Sequence, residues 1–436
     1  MRQVDGNQSQ LREGHTTLAY PGNDPRTSPT GKNGIRWSVV TVAVSVTAAG
    51  VLPVFLTAAL AVQIRDDLDL SVATLGALVG VFFGVSALGS APLGRVAERR
   101  GWASGIQLAA MGSGLTQIGM ATVARNAWTI GVLFIVGGLA AAMSRPAADF
   151  ALTRSVPPCR HGLLFGLKHA AAPAAVMLGG LAVPGFALTI GWRWAYIAGA
   201  VISFAIFLGT PRQQDRAEDR RRLPGGTTPS TPIRILFILA VATALGIGAA
   251  DALASFFITY AVEVGVGEGS AGTLLAGCSA IALISRLIAG WLVDKRQHVS
   301  LLGIGGLLTI GALGLTVLAA GGRQWLIVGA MLGFAAGWGW SGLMTFFVVW
   351  ANPHAPAAAT GITHTGTYVG AAVGPLLIGH LAERTSFTAA WWSTSAMLGT
   401  AAILVLGVWL FGRSGGTIAV RNDRISSGDQ PRVGGG

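Results

Sequence analysis

Charge is what this sequence has least of: Asp, Glu, Lys and Arg make up 11% of its 436 residues, against roughly 25% in an ordinary soluble domain. That deficit leaves too little polar surface to keep a folded chain of this size in water. Cysteine is scarcer still. Cys159 and Cys278 are the only two, without CxxC spacing, so neither a disulfide framework nor a thiolate metal site is expected. There is no HExxH, no Gly-x-Ser-x-Gly and no Cys/His cluster. Enzyme chemistry, a metal and a cofactor are therefore not expected. Nothing resembles a repeated channel filter. Acidic residues number 18 against 30 Lys and Arg, giving a net charge of +12. The positive charges lie in short segments between apolar runs and not on one soluble domain. They suit topology and anionic headgroups, and a nucleic-acid partner is not expected.

What is present is apolar and small. Hydrophobic residues reach 52%, and glycine occurs 63 times, about twice its usual share. Small residues let membrane helices approach one another closely. A span needs about 20 mostly apolar residues. Twelve runs qualify, at 37–64, 72–93, 103–123, 128–152, 163–190, 192–209, 233–262, 271–293, 300–320, 325–350, 359–382 and 388–411. The breaks near Gly191 and Gly321 are the weakest of these divisions.

The expected fold is thus all-α: a polytopic membrane protein with twelve transmembrane helices in two pseudo-symmetric six-helix bundles. The divisions are a disordered cytoplasmic tail (1–36), a first bundle (37–210), a cytoplasmic linker (211–232), a second bundle (233–412) and a cytoplasmic tail (413–436). The first 34 residues lack the apolar core of a secretory signal.

Lys and Arg placement sets the orientation. With the N-terminus inside, five of the 30 fall on outer connections: Arg65, Arg125, Arg193, Arg323 and Arg384. Three more, Arg145, Lys168 and Arg286, lie within spans, and the rest fall inside. Both termini are expected in the cytoplasm, with the chain in the plasma membrane. Eight tryptophans sit at or beside span ends and read as an interfacial belt: Trp37, Trp128, Trp192, Trp194, Trp325, Trp350, Trp391 and Trp392.

The halves repeat at an offset of 196 to 199 residues. Gly94-x-x-x-Glu98-Arg99 aligns with Gly290-x-x-x-Asp294-Lys295, Gly162 with Gly361, Gly180 with Gly379, and Trp192 with Trp391. Pro157-Pro158 lies opposite the loop from Pro353 to Pro356. A duplicated unit of six spans is a transporter pattern, with substrate held between the repeats.

The loop from Gly94 to Gly101, Gly-Arg-Val-Ala-Glu-Arg-Arg-Gly, resembles the signature loop of the major facilitator superfamily. Glu98 stands where Asp is commoner, and the second-half copy lacks the closing Gly. The resemblance covers residues 37 to 411 and says little about substrate. It implies an inner gate at Gly94, Glu98 and Arg99, with Gly290, Asp294 and Lys295 as the second copy. Glu98 would face the positive N-terminal end of span eleven. The bland alternative is a basic loop that serves topology only.

A charge at mid-span costs at least about 2.5 to 3.5 kcal/mol, so it lines a cavity or is paired. Arg145 is a substrate candidate, unless it and Asp149, on one helix face, simply neutralise each other. Arg286-x-x-x-Gly290-x-x-x-Asp294 is similar to a pattern in monocarboxylate and oxalate–formate porters of the superfamily, where the Arg binds carboxylate; it also appears in members with other substrates, where it helps hold the gate. Lys168 is a further substrate candidate, with snorkelling as its alternative; His169 reads as a packing residue. Asp251 and Asp149 are the proton-coupling candidates, a hydrogen bond to a neighbouring helix being the other reading of Asp251. Trp338 and Trp340 lie mid-span on different faces, so one of them at most meets substrate. His364 and Tyr368 share a face at i, i+4 and complete the substrate set, unless they serve interhelical hydrogen bonding.

The resulting expectation is a secondary transporter, monomeric in the lipid bilayer, for a small anionic metabolite coupled to protons, with symport favoured. The alternative is proton-driven efflux of hydrophobic compounds. The run Phe134-Ile135-Val136-Gly137-Gly138 lacks the Arg many drug–proton antiporters carry there, and span five lacks their Gly-Pro-x-x-Gly-Gly pattern.

Overall fold

The structure is a computed structural model, and it describes residues 36–155, 161–211, 229–296, 299–352 and 355–415. The expected N-terminal tail, most of the linker, most of the C-terminal tail, Pro157-Pro158 and Pro353 lie outside the described residues, as does the side chain of Glu98.

Among the described residues there are fourteen α-helices and no strand. The first half holds α1 (Trp37–Ala59), α2 (Ala61–Leu68), α3 (Val72–Arg100), α4 (Trp102–Thr122), α5 (Ala127–Ser155), α6 (His161–Ala182) and α7 (Trp192–Gly209). The second holds α8 (Ile233–Glu263), α9 (Glu268–Arg296), α10 (Leu301–Ala319), α11 (Arg323–Ala335), α12 (Trp340–Ala351), α13 (Pro356–Arg384) and α14 (Phe387–Gly415). Ser71 caps α3, its hydroxyl accepting from Thr74 N at 3.1 Å, which satisfies an amide the helix leaves orphaned. Gly191 and the pair Gly321-Gly322 have φ of 103°, 82° and 85°. A side chain would strain these turns, and they are real helix junctions.

Ten segments are long and apolar enough to cross a membrane. The two remaining expected spans, α4 and α13, are long enough at 21 and 29 residues but too polar along their length. Gln107, Gln117 and several hydroxyls dilute α4; His364 and four threonines between 360 and 367 dilute α13. Several of these polar groups, Ser113, Thr116, Gln117 and Thr363 among them, are turned inward. Gln117 is fully buried, and its Nε2 donates to Ser203 Oγ of α7 at 2.9 Å. Gly199 of α7 leaves room for it, since a Cβ there would stand 1.7 Å from Gln117 Oε1. The bond to Ser203 satisfies the Nε2 end of the amide, while Oε1 has no hydrogen-bond partner among the described residues.

Two expected spans are interrupted. The first turns at Leu60 between α1 and α2. The tenth breaks over residues 336–339, between α11 and α12. The tryptophan belt also needs correction. Trp37, Trp128, Trp194, Trp325, Trp350 and Trp392 are exposed, but Trp192 and Trp391 are 5% and 0% exposed. Trp192 Nε1 donates to Asp67 at 3.2 Å, and Trp391 packs edge-on against Tyr260 with ring centres 5.5 Å apart. The aligned pair are packing residues.

Helices α1, α4, α5 and α7 pack chiefly with one another and with α3 and α6, and α8, α10 to α12 and α14 with one another and with α13; α6 and α9 pack most heavily on each other, α3 on α13 is the other main seam, and α1 touches α8. Glycine makes these seams tight. A Cβ on Gly76 would lie 2.6 Å from Pro375 O, and one on Gly80 would lie 2.9 Å from Ala372 O. On α6 and α9, a Cβ on Gly180 or Gly272 would each lie 2.6 Å from the other's carbonyl oxygen. One turn beyond Gly80, Gly84 has nothing within 4 Å. The α3–α13 seam is therefore closed towards the α2–α3 connection and loosens beyond Gly80.

Candidate functional site

A cavity of about 940 Å³, open solvent included, lies between the two groups of helices. From the first group, α1, α5 and α6 contribute Thr47, Arg145, Lys168 and His169. From the second come Asp251 of α8, Arg286 of α9, Trp338 in the helix break, and His364 of α13. Six of the expected residues thus line one cavity: Arg145, Lys168, Asp251, Arg286, Trp338 and His364.

Tyr368 and Asp149 stand beside it. Arg145 does not pair with the Asp149 one turn away. Its guanidinium carbon lies 5.3 Å from the centre of the Tyr368 ring, across the seam on α13. A cation held over an aromatic face keeps part of its charge available. Asp149 is held instead by Lys168, with Nζ 2.7 Å from Oδ1 and 2.8 Å from Oδ2. Lys168 is 12% exposed, so it faces inward and does not snorkel to the surface.

Arg286 is 6% exposed. Its surroundings follow from the broken helix. Breaking α11 from α12 frees backbone carbonyls that need donors. Two adjacent residues of α9 supply them: Ser285 Oγ lies 3.0 Å from Ala335 O, and Arg286 Nε donates to Trp338 O at 3.0 Å. Arg286 Nη1 donates to the carbonyl of His169 on α6. The guanidinium carbon also lies 5.1 Å from the centre of the Trp338 ring. One side chain therefore ties α9, the helix break and α6 together.

Trp338 packs against Phe55 of α1 and Phe334 of α11, ring centres 6.2 and 5.8 Å apart. Trp340 points elsewhere: it is buried, and its Nε1 donates to Gly337 O at 2.8 Å. Only Trp338 of the two meets the cavity. The buried His169 Nε2 and Trp338 Nε1 have no hydrogen-bond partner among the described residues.

Asp251 is the one carboxylate among the cavity-lining residues. Among the described residues its carboxylate makes no hydrogen bond or ion pair, and Arg145 and Arg286 are the cations whose field it feels. An acid so placed can take and lose a proton without dismantling a structural contact.

The expected gate residues lie away from the cavity. Gly94 is near the end of α3, where a Cβ would come no closer than 3.8 Å to Pro146. Arg99 is exposed. Lys295 Nζ lies 5.1 Å over the Trp291 ring, and Asp294 is half-buried with a partner of its own. Gly290 sits at the crossing of α9 with α6: a Cβ on Gly166 would lie 3.3 Å from its Cα and 2.9 Å from Arg286 O.

Sequence reasoning passed over the cavity's hydroxyls, Thr47, Thr243, Thr345, Thr363 and Thr367. Thr243, Thr345 and Thr47 donate to carbonyls one turn back on their own helices, which leaves oxygen lone pairs for a ligand. A signal existed. Thr243, Ile247 and Asp251 recur at i, i+4, i+8, and Thr363, Thr367 and Ala371 do the same.

A multi-pass helical membrane protein with a largely apolar cavity that carries three cations and a carboxylate has the form of a solute carrier. The sequence profile of the Major Facilitator Superfamily matches residues 38–330 and 236–428, and the chain belongs to that family of transporters. Two similar proteins are both called uncharacterized MFS-type transporters, from Mycobacterium tuberculosis strains H37Rv and CDC 1551. They are 25% identical over 382 and 383 residues, covering 83% of this chain and 83% of their own.

Proposed function

We propose that the protein is an alternating-access carrier for a small organic anion, coupled to protons. Twelve spans form two six-helix bundles, 37–210 and 233–412, that rock about the shared cavity, with both termini in the cytoplasm of a plasma-membrane protein. The observation that carries the substrate reading is the charge of the cavity wall. Arg145, Lys168 and Arg286 face it, against the single lining carboxylate of Asp251. Desolvated cations in such a wall attract an anion far more strongly than they would in water.

Asp251 is the proton site in this reading, ahead of Asp149, whose carboxylate is engaged by Lys168. Protonating Asp251 adds one positive charge to the wall and favours the anion, which makes symport the natural coupling. Arg145, Arg286, His364 and Tyr368 hold the substrate's polar end, and Trp338 covers its apolar part. Gly94, Glu98, Arg99, Gly290, Asp294 and Lys295 act at the cytoplasmic gate.

The test is flux into proteoliposomes under imposed pH gradients, with panels of carboxylates, neutral solutes and cations. Uptake of carboxylates alone, driven by inward protons, supports the reading. Transport of neutral or cationic compounds with no carboxylate moved sinks it. The second reading is proton-driven export of hydrophobic compounds. The apolar part of the wall, with Val51, Ile247, Trp338 and Met344, supports it, and the same panel separates the two.

A further inference from the structure

The α3 helix ends in Gly94-Arg-Val-Ala-Glu98-Arg99, the stretch that resembles the inner gate loop. The α13 helix ends in Gly379-His-Leu-Ala-Glu383-Arg384. Both read Gly-x-x-Ala-Glu-Arg, at the C-terminal ends of two helices that pack antiparallel. The pairing is explicit: Gly76 meets Pro375, Gly80 meets Ala372, and a Cβ on Gly379 would lie 3.2 Å from Val72 O and 3.4 Å from Gly76 Cα. The end of each helix therefore points towards the beginning of the other, and the two motifs lie at opposite ends of one seam.

At the α13 end the contact is formed. Glu383 Oε2 accepts from Ala73 N, the second residue of α3, at 2.6 Å. That amide is one of the orphan donors at a helix start, where the helix dipole also favours a carboxylate. Gly379, one turn earlier, is what lets α13 approach closely enough for the reach. A second link across the same end joins Gln63 Nε2 of α2 to Glu268 of α9. Beyond Gly80 the glycine contacts of α3 with α13 cease.

We infer that Glu383 is a gating residue: its carboxylate, docked on the N-terminus of α3, clasps the two halves at the outer end in the outward-closed state. It is the counterpart, at the other end of the same helix pair, of the role expected for Glu98. The inference rests on the alternating-access reading but not on the identity of the substrate. Glu383 is exposed, and a carboxylate at an exposed helix start shifts an equilibrium by about two- to fivefold. A clasp of that strength biases the gate without locking it.

The experiment uses the full-length carrier in lipid nanodiscs, with Cys159→Ser and Cys278→Ala. Spin labels replace Val123, at the end of α4, and Gln324, at the start of α11. Both are exposed and lie at the outer end, one in each half. Pulsed electron-electron resonance then gives the ratio of long to short outer distances. Glu383→Gln should raise that ratio about two- to fivefold, Glu383→Asp should raise it less, and Arg384→Gln should leave it alone. The clasp is overturned if the parent protein populates both distances and Glu383→Gln leaves their ratio unchanged. It is equally overturned if Arg384→Gln has the same effect as Glu383→Gln. A single invariant outer distance in every sample, with and without transported solute, removes alternating access and the clasp with it.

Discussion

Arg286 and Trp338 are joined twice: the guanidinium Nε donates to the Trp338 carbonyl at 3.0 Å, and the guanidinium carbon lies 5.1 Å from the centre of the indole ring. A third bond, from Nη1 to the His169 carbonyl, reaches the other half of the molecule. Two of the five guanidinium N–H donors are thus spent on backbone carbonyls, and three remain for a carboxylate. A carboxylate held there would sit on a side chain that already bridges α9 and α6, so substrate binding and the α6–α9 seam are linked.

Arg286→Gln removes a charged donor worth roughly 1.5 to 3 kcal/mol per bond. Transport should fall at least tenfold at matched protein level. Arg286→Lys keeps the charge but not the planar fork, so it should recover only a small part. Initial uptake rates in proteoliposomes check both variants, and near-normal uptake by Arg286→Gln would mean the residue is packing alone.

Asp251→Asn should abolish accumulation against a gradient while leaving substrate exchange across the membrane. The carboxylate has no structural bond to lose, so the variant should fold normally. Counterflow and pH-driven uptake, measured on the same preparation, separate the two activities. Loss of both together would instead make Asp251 a binding or folding residue.

Lys168 and Asp149 form a part-exposed ion pair. Their coupling in a double-mutant cycle of thermal stability should be about 0.5 to 1 kcal/mol. Lys168→Ala should weaken substrate binding by more than that figure, because Lys168 also lines the cavity. Equal losses in stability and binding would reduce it to a structural partner of Asp149.

The crossing of α6 and α9 has no room for a side chain at Gly180, where a Cβ would meet Gly272 O at 2.6 Å. Gly180→Val should therefore keep the outer end from closing. Labelling of outer-end cysteines should rise and net transport should stop, while the protein still reaches the membrane. Unchanged labelling would show that the two helices do not separate there during the cycle.

Glu383 carries a pH signature. The Ala73 amide first, then the Ser71 hydroxyl, hold its carboxyl below the usual carboxylate range, with Arg65 and His380 adding to the effect. A group depressed in the clasped state stabilises that state fully above its ordinary value of about 4.3 and loses the contribution as pH falls through the depressed value. The difference in outer-closed fraction between the parent and Glu383→Gln should be constant above that range and vanish below it. A difference that grows on acidification has the wrong sign for a clasp.

Composition and the length of the apolar runs made the helical membrane architecture legible, because lipid leaves the backbone few options. The cluster of Arg145, Lys168, Asp251, Arg286, Trp338 and His364 was legible for the same reason: a polar group within a span needs a cavity or a partner. Pairing was not. Arg145 and Asp149 share a helix face, yet Lys168 of α6 and Tyr368 of α13 took them apart, since spacing along one helix does not report what a neighbouring helix presents. The break at 336–339 was hidden in an apolar run with glycines at 329, 333, 337, 339 and 342, which do not single out the position of the break. The burial of Trp192 and Trp391 came from tertiary packing that span-end position alone does not encode.

Carboxylate flux in proteoliposomes, with and without an inward proton gradient, is the most direct measurement. The expected result is gradient-driven uptake of a small organic anion by the parent protein and none by Asp251→Asn, with exchange intact in both. Uptake that ignores the gradient, or that is restricted to neutral and cationic solutes, would contradict it.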